Sequence, residues 1–234
     1  MGLLRGIGLV LAHLLITAGA SASDLSYTFV NFQYIDKTVD AHGINFPVPV
    51  QSVEVVTDTG EGISISGSLA IGDRFFLSGR FQSSIVSLSA MIKNPLVMRI
   101  EEDDFDLIQS QLGVGYLLPI GENFDLVIEA LFDSTDYDFG SLAGENFDLD
   151  ESGIGAEIGF RWNPIPQLEF HGGGRYSPVG TALLTAKEFE SDTLYRLGVM
   201  WYFFEDLGFG LEFESGQVDT VSVSMRFGFG DLPW

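Results

Sequence analysis

Cysteine is absent from this 234-residue sequence, and basic residues are scarce. Without cysteine the chain has no disulfide, no thiolate metal site and no cysteine nucleophile. Only 11 Lys and Arg accompany 33 Asp and Glu, which gives a formal net charge of −22. Because nucleic-acid binding needs clustered Lys and Arg, this balance argues against a nucleic-acid partner.

Long hydrophobic runs are also missing. Beyond residue 22 there is no stretch of about 18 apolar residues, so the sequence predicts no membrane-spanning helix. Hydrophobic residues nevertheless make up 46% of the chain, which contains 20 Phe and 28 Gly. A disordered acidic chain has a different composition. These proportions favour a β-rich protein with many tight turns.

The N-terminal segment has the features of a secretory signal peptide. Arg5 precedes an apolar stretch over residues 6–18, and the Ala-Ser-Ala at 20–22 fits a cleavage site. The alternative, a membrane anchor helix, is disfavoured because the apolar stretch is short. We therefore expect residues 1–22 to be a signal peptide and residues 23–234 to form a single exported domain.

Apolar and polar residues alternate along the rest of the chain, in segments separated by turn residues. At residues 221–229, Val, Val, Met, Phe and Phe alternate with Ser, Ser, Arg and Gly, and residues 154–162 show the same pattern. A period of two predicts β-strands, and each segment has about the 9–11 residues that a tilted transmembrane strand needs. The ten predicted segments are about 25–35, 62–71, 75–84, 107–118, 124–133, 152–162, 167–176, 192–203, 208–215 and 220–229.

Short and long connections alternate between these segments. The short ones lie near 72–74, 119–123, 163–166 and 205–207, and the long, mostly polar or acidic ones near 36–61, 85–106, 134–151 and 177–191. Transmembrane barrels combine short periplasmic turns with longer outer loops, and aromatic residues gather at their membrane boundaries. The aromatic residues here crowd the short-turn ends. The pattern predicts an all-β fold, an up-and-down antiparallel transmembrane β-barrel of ten strands, with eight strands as the alternative.

The same alternation predicts which side chains face the interior. If the apolar residues face lipid, the alternate positions face the lumen, and these carry many charges at mid-strand. Unpaired charges in a low-dielectric interior are costly, so we expect opposite charges to pair there as a plug of side chains rather than an open pore. The predicted lumen charge network comprises Arg80, Glu129, Glu157, Arg161, Glu169, His171, Arg175, Arg196, Glu212, Glu214 and Arg226.

Both ends of the predicted barrel resemble a known family. The opening Leu25-Ser-Tyr-Thr-Phe-Val30 and the closing Val221-Ser-Val-Ser-Met-Arg-Phe-Gly-Phe229 are similar to the first and last strands of small Gram-negative outer-membrane β-barrel proteins of the opacity and porin-like type. The resemblance implies a location in the cell outer membrane, contact with its lipid and lipopolysaccharide, and folding by the barrel-assembly machinery. In that family a terminal aromatic residue implies the assembly signal, for which the candidates are Phe227, Phe229 and Trp234.

Two histidines outside the predicted signal peptide raise the question of enzyme activity. A Ser-His-acid site requires the three groups within mutual reach. His42 lies in a predicted outer loop, and His171 lies mid-strand with Glu169 on the same predicted face. Because a mid-strand lumen position is hard for a lipid or peptide to reach, the sequence predicts no catalytic residue.

The acidic connections invite a metal hypothesis. Calcium loops place carboxylates at alternate positions followed by a glycine. Residues 146–151 show the alternation but have Glu151 where the glycine should stand, so the pattern favours a solvated acidic face. The weak metal candidates are Asp136, Asp138, Asp148 and Asp150, and no cofactor is predicted.

The sequence therefore predicts an integral outer-membrane barrel with a salt-bridged lumen. We expect a structural or surface-interaction role through acidic extracellular loops, in a protein that favours the monomer. The alternative is a narrow porin-like channel for small solutes. A lipid- or peptide-hydrolysing barrel enzyme is the third hypothesis.

Overall fold

The computed structural model describes residues 27–39, 46–48, 51–94, 97–121, 123–142, 145–179, 191–216 and 218–229. These residues form eleven β-strands. The strands are β1 Phe29–Val39, β2 Phe46–Val48, β3 Gln51–Ile71, β4 Phe75–Asn94, β5 Val97–Pro119, β6 Phe124–Leu142, β7 Glu145–Ile165, β8 Leu168–Ser177, β9 Asp192–Phe204, β10 Leu207–Ser215 and β11 Val218–Gly228.

Ten of these strands close into a barrel. From β3 to β11 each strand pairs antiparallel with the next, and β1 pairs with both β3 and β11. The short strand β2 pairs only with the outer end of β3 and stands outside the ring. The prediction of an up-and-down antiparallel barrel is confirmed, with ten strands and not eight.

The apolar side chains lie on the outside of the barrel. On β7, Ile158 is 65% exposed, whereas Arg161, on the opposite face of the same strand, is 8% exposed. On β11, Val223 is 52% exposed and Arg226 is 6% exposed. A soluble sandwich has the opposite arrangement, with its apolar face inward. An apolar exterior around a charged interior is the pattern of a barrel that spans a membrane.

One end of the barrel has only short turns. Gly72 has a φ of 63° in the β3–β4 turn, a left-handed conformation that a glycine adopts without a Cβ clash. The β7–β8 turn is Pro166-Gln167, because β7 continues to Ile165 through most of the predicted 163–166 connection. Phe29 at the start of β1 lies opposite Gly228 at the end of β11, so both described ends of the chain are at this rim.

Exposed aromatic side chains surround the same rim. Phe203 stacks edge-on against Phe209 with ring centroids 5.7 Å apart, and Trp162 stacks on Phe170 at 5.6 Å. Amphipathic and aromatic rings are enriched at membrane–water boundaries. This ring of aromatic residues marks the periplasmic edge of the apolar belt.

The outer end of the barrel differs from the end that the sequence predicted. Strands β3 to β7 have 19 to 23 residues each, about twice the ~9–11 that cross a membrane. The expectation of long loops near 85–106 and 134–151 is therefore wrong, because these residues largely continue the β4–β5 and β6–β7 hairpins. Much of 36–61 is likewise strand, and 180–190 of the fourth predicted loop lies outside the described residues.

The extended strands form two ribbons beyond the apolar belt. Strands β2 to β5 form the larger ribbon, and the outer parts of β6 and β7 form the smaller one. Pairing within a ribbon gives many backbone amides a partner without burying side chains, so a polar sequence can remain in strand conformation outside the membrane. Among the described residues there is no helix long and apolar enough to cross a membrane.

Replacing Ile158 with Arg tests the lipid-facing assignment. Ile158 lies in the middle of the apolar belt on β7, and a charge there should lower the free energy of unfolding by ~2–4 kcal/mol. Ser152, exposed on the same face of β7 nearer the outer rim, is the control, and Ser152→Arg should cost only ~0–1 kcal/mol. Urea unfolding in lipid vesicles, followed by tryptophan fluorescence, measures both. Equal losses would contradict the assignment.

Candidate functional site

The barrel interior is the candidate site, and its periplasmic end is closed by an apolar cluster. Tyr27, Ala70, Phe76 and Leu117 are all buried and pack together there, with Val127 against them. The Tyr27 hydroxyl donates to Asp125 Oδ2 at 3.0 Å, and the Arg161 guanidinium lies 4.3 Å from the centre of the Tyr27 ring. The residues just before β1 therefore form a floor under the charged part of the lumen.

Above this floor a single carboxylate joins two arginines. Glu169 on β8 is fully buried and accepts from Arg161 Nη2 at 2.6 Å and from Arg226 Nη1 at 2.7 Å. The Tyr202 hydroxyl also donates to it, at 3.0 Å. Charge-assisted hydrogen bonds of this length are among the strong ones in proteins. Because β7, β8 and β11 each contribute a partner, the cluster ties together strands that are not all neighbours.

His171 connects this cluster with the next one. Its Nε2 lies 3.0 Å from Glu212 Oε2, and its Nδ1 lies 3.5 Å from Glu169 Oε1. Arg196 pairs with Glu157 and also approaches Glu212, with Nε 3.9 Å from Oε2. Glu212 therefore belongs to the same network as Glu169, across β8, β9 and β10.

Arg80 extends the network to the far wall of the barrel. Its guanidinium reaches from β4 to Glu212 at 3.2 Å and to Glu214 at 3.5 Å, both on β10. Strands β4 and β10 are not neighbours in the sheet, so this contact crosses the lumen. On β6, Glu129 accepts from Ser78 Oγ of β4.

The outer part of the interior is filled by a mixture of polar and apolar groups. Arg175 pairs with Asp133 at 2.9 Å, and the Ser177 hydroxyl donates to the same carboxylate at 2.8 Å. Lys37 is 2% exposed and donates to Gln109 Oε1 at 2.8 Å. Inward-facing apolar side chains are buried at this level, namely Ile35, Val86, Leu107, Leu131, Leu194 and Val218.

The residues after β8 turn into the mouth of the barrel. Val179 is 3% exposed, and its amide donates to the Ser177 hydroxyl at 3.3 Å. A Cβ on Gly153 of β7 would lie 2.5 Å from the Pro178 ring, so the absence of a side chain there lets Pro178 approach. This segment narrows the outer opening from the β7–β8 side.

Two cavities lie among the described residues of the interior, separated by side chains. The larger, of about 140 Å³, lies among the Glu169 and Glu212 clusters above the apolar floor. The smaller, of about 40 Å³, lies toward the outer end between Lys37 and Arg175. Arg80 and Gln111 line both cavities and so form the partition between them.

The structure places every member of the predicted charge network on the inner face of its strand, and the ion pairs above join most of them. The sequence prediction omitted four buried charges, Lys37, Asp125, Asp133 and Asp192. Asp125 and Asp133 share the parity of Glu129 on β6, so the alternation could have identified them. Lys37 lies on β1, where the alternation is ambiguous.

The other candidate residues have a mixed outcome. Asp136 and Asp150 are exposed and lie opposite each other across β6 and β7, as Asp138 and Asp148 do in backbone register. Within the described residues, no group of three or more potential ligands is arranged to hold a metal ion. Phe227 and Phe229 are half-buried at the periplasmic rim. Trp234 and His42 lie outside the described residues, so the assembly signal remains a prediction.

His171 occupies a position in the ion network. Both of its ring nitrogens face carboxylates, Glu212 and Glu169. In a Ser-His-acid site one nitrogen faces the carboxylate and the other faces the nucleophilic hydroxyl. The geometry of His171 is therefore that of a link between two acidic groups.

Comparison with known proteins shows no family for this chain. No protein-family profile and no curated protein matches the chain. The outer membrane protein OprG from Pseudomonas aeruginosa is 10% identical, with a TM-score of 0.49 over 91% of this chain and 100% of that one. The translocator domain of autotransporter NalP from Neisseria meningitidis is 15% identical, with a TM-score of 0.47 over 86% and 87%. The NanC porin is 8% identical, with a TM-score of 0.45 over 86% and 100%.

The assignment as an outer-membrane barrel rests on the chain itself. An even number of antiparallel strands, short turns at one end, an aromatic rim and an apolar exterior are the features of outer-membrane barrels. All four are present here.

Glu169→Gln tests how much the barrel depends on its central carboxylate. The substitution keeps the shape but leaves Arg161 and Arg226 without their shared counter-charge, which should lower the free energy of unfolding by roughly 3–5 kcal/mol. Glu205→Gln, in the exposed β9–β10 turn, is the control and should have almost no effect. Urea unfolding in vesicles measures both. A loss for Glu169→Gln as small as that of the control would show that the cluster is not structural.

Proposed function

We propose that this protein is a non-conducting anchor in the outer membrane, which holds its two acidic β-ribbons above the cell surface for interaction. The observation that carries the proposal is that side chains fill the lumen at three levels. These are the apolar floor around Tyr27 and Phe76, the ion network around Glu169 and Glu212, and the mixed outer layer with Val179.

The ion network favours a permanent plug because single carboxylates contact several cationic side chains. Glu169 serves two arginines, Glu212 approaches Arg80, Arg196 and His171, and each belongs to a different strand from its partners. Opening a path requires several pairs to break together. Breaking a buried pair leaves an uncompensated charge at a cost of several kcal/mol.

The outer surface supports the display role. On several strands, outward-facing carboxylates follow the apolar belt, at the level where the strands leave the hydrocarbon core of the membrane. They are Asp36, Glu61, Asp104, Asp106, Asp136, Asp150 and Asp219, and all are exposed. We propose that the apolar belt contacts outer-membrane lipid, that this acidic collar lies at the level of the lipopolysaccharide headgroups, and that the protein acts as a monomer after folding by the barrel-assembly machinery.

The alternative function is a narrow channel, and the larger cavity is the observation that favours it. Its wall includes Asn31 and Ser68, which are both buried and have side-chain oxygens without a hydrogen-bond partner among the described residues. Its volume of about 140 Å³ could hold a few water molecules at ~30 Å³ each. A channel would need this cavity to connect with both ends of the barrel.

Planar-bilayer recording separates the two functions. We expect the folded wild-type protein to give no steady current steps, because the floor and the ion network block the lumen. Arg80→Ala combined with Phe76→Ala removes the partition and part of the floor, and should produce measurable current steps.

Arg80→Ala combined with Phe75→Ala is the matched control. Phe75 is adjacent to Phe76 but faces outward and is 52% exposed, so this variant leaves the floor intact. It should remain silent or nearly so. Folding of each variant is checked by the change in gel migration before and after boiling. Steady ohmic steps from the wild-type protein would overturn the closed-lumen proposal and establish the channel.

A further inference from the structure

The larger cavity of the lumen has two kinds of wall. Strands β1, β3 and β4 contribute uncharged polar side chains to it, among them Asn31, Ser66, Ser68 and Ser78. Strands β6 to β11 contribute most of its charged groups, which belong to the ion network around Glu169. The cavity is therefore bounded by hydroxyls and amides in one part and by paired ions in the other.

Two polar groups on the uncharged wall lack a partner. Asn31 and Ser68 are each 5% exposed, and Asn31 Oδ1 and Ser68 Oγ have no hydrogen-bond partner among the described residues. A buried polar atom without a partner is costly, and in native proteins most such atoms bond to protein, water or a ligand. Because both residues line the same cavity, one occupant of that cavity could satisfy both of them.

The charges around the cavity cancel. Its lining includes four arginines and four glutamates, so its formal charge is zero when His171 is neutral. The arginines already have carboxylate partners, as Arg161 and Arg226 have in Glu169. A charged occupant would have no counter-charge left and would be costly to bury. The cavity therefore suits an uncharged occupant that makes several hydrogen bonds.

The volume of the cavity sets the size of the occupant. It measures about 140 Å³, and an apolar cavity of about 150 Å³ in another protein holds one benzene molecule, which has six non-hydrogen atoms. Glycerol also has six, and each of its three hydroxyls can donate and accept a hydrogen bond. Mannitol has twice as many non-hydrogen atoms and exceeds this volume. A single polyol also avoids the separate entropy cost of ordering several waters.

We propose that this cavity is a binding site for one small uncharged polyol of the size of glycerol, held between the apolar floor and the Arg80 partition. Asn31 Oδ1 accepts a hydrogen bond from one hydroxyl, and Ser68 Oγ bonds to a second. The polyol completes the hydrogen bonding of the uncharged wall without changing the charge of the lumen. This site goes beyond the anchor role and does not require a conducting barrel.

Equilibrium dialysis with labelled glycerol tests the proposal. The full protein, folded in lipid vesicles, is dialysed against a series of glycerol concentrations beside vesicles without protein. We expect saturable retention that approaches one glycerol per chain. Labelled mannitol is the probe control and should show no saturable retention. Absence of excess glycerol would show that only water occupies the cavity, and equal retention of mannitol would place the polyol elsewhere; either result would overturn the proposal.

Two serine variants test the location. Ser68→Ala removes the unpartnered hydroxyl of the cavity wall and should weaken glycerol binding about fivefold or more. Ser64→Ala is the matched control, because Ser64 lies on the same strand and is also buried with no hydrogen-bond partner for its hydroxyl among the described residues, but does not line the cavity. It should bind glycerol as the wild-type protein does. Equal affinities of the two variants would mean that the cavity is not the site.

A double variant removes both unpartnered oxygens. Asn31→Leu combined with Ser68→Ala keeps most of the side-chain volume and should abolish saturable binding, while the gel migration before boiling remains that of a folded barrel. A folded double variant that retains glycerol normally would contradict the proposal. Should the double variant not fold, Ser68→Ala alone decides the matter, because it removes no hydrogen bond between described residues.

The outcome is separable from that of the conductance measurement. A silent barrel that retains no glycerol would overturn the polyol site and leave the anchor role standing. A conducting barrel that retains one glycerol per chain would overturn the closed lumen and keep the polyol site.

Discussion

The structure depends on one constraint, that backbone hydrogen bonds inside a membrane must be made within the protein. Hydrocarbon offers no partner for an exposed amide, so a spanning sheet has to close. Here closure is achieved where β1 pairs with both β3 and β11. Once the ring is closed, the two faces of each strand have fixed environments. Ile158 must face lipid because Glu157 and Gly159 occupy the inner face of the same strand.

The charged side chains inside the closed ring must then be neutralised by side chains of opposite charge. Five arginines and Lys37 project inward, and carboxylates from neighbouring or opposite strands meet the arginines. Glycines make room for this arrangement. A Cβ on Gly198 would collide with the His171 ring, and one on Gly113 would collide with Glu129 and Ser78. The high glycine content noted in the sequence therefore reflects, in part, how closely large side chains approach the opposite backbone.

The sequence predicted those features that depend on period and parity. The alternation at 154–162 and 221–229 identified strands, their apolar faces and the inward position of Arg161 and Arg226, because a period of two leaves no freedom once one face meets lipid. It did not predict that β5 would reach 23 residues, since polar residues outside a membrane can be either loop or strand. It also could not say that Arg80 pairs with Glu212, because that contact depends on the stagger of β4 against β10 around a closed ring.

The same reasoning explains why the outer ribbons carry so much negative charge. Closure removes free edges only where the ring is complete, and the ring is complete only up to Asp106 and Asp138. Beyond that point β5 continues with β4 and β6 continues with β7, so two open ribbons replace the closed ring. Open sheets are prone to uncontrolled pairing with identical chains, and like charges on adjacent strands oppose such pairing. The acidic residues of the outer segments, such as the four at 101–104, therefore make self-pairing of the ribbons unfavourable.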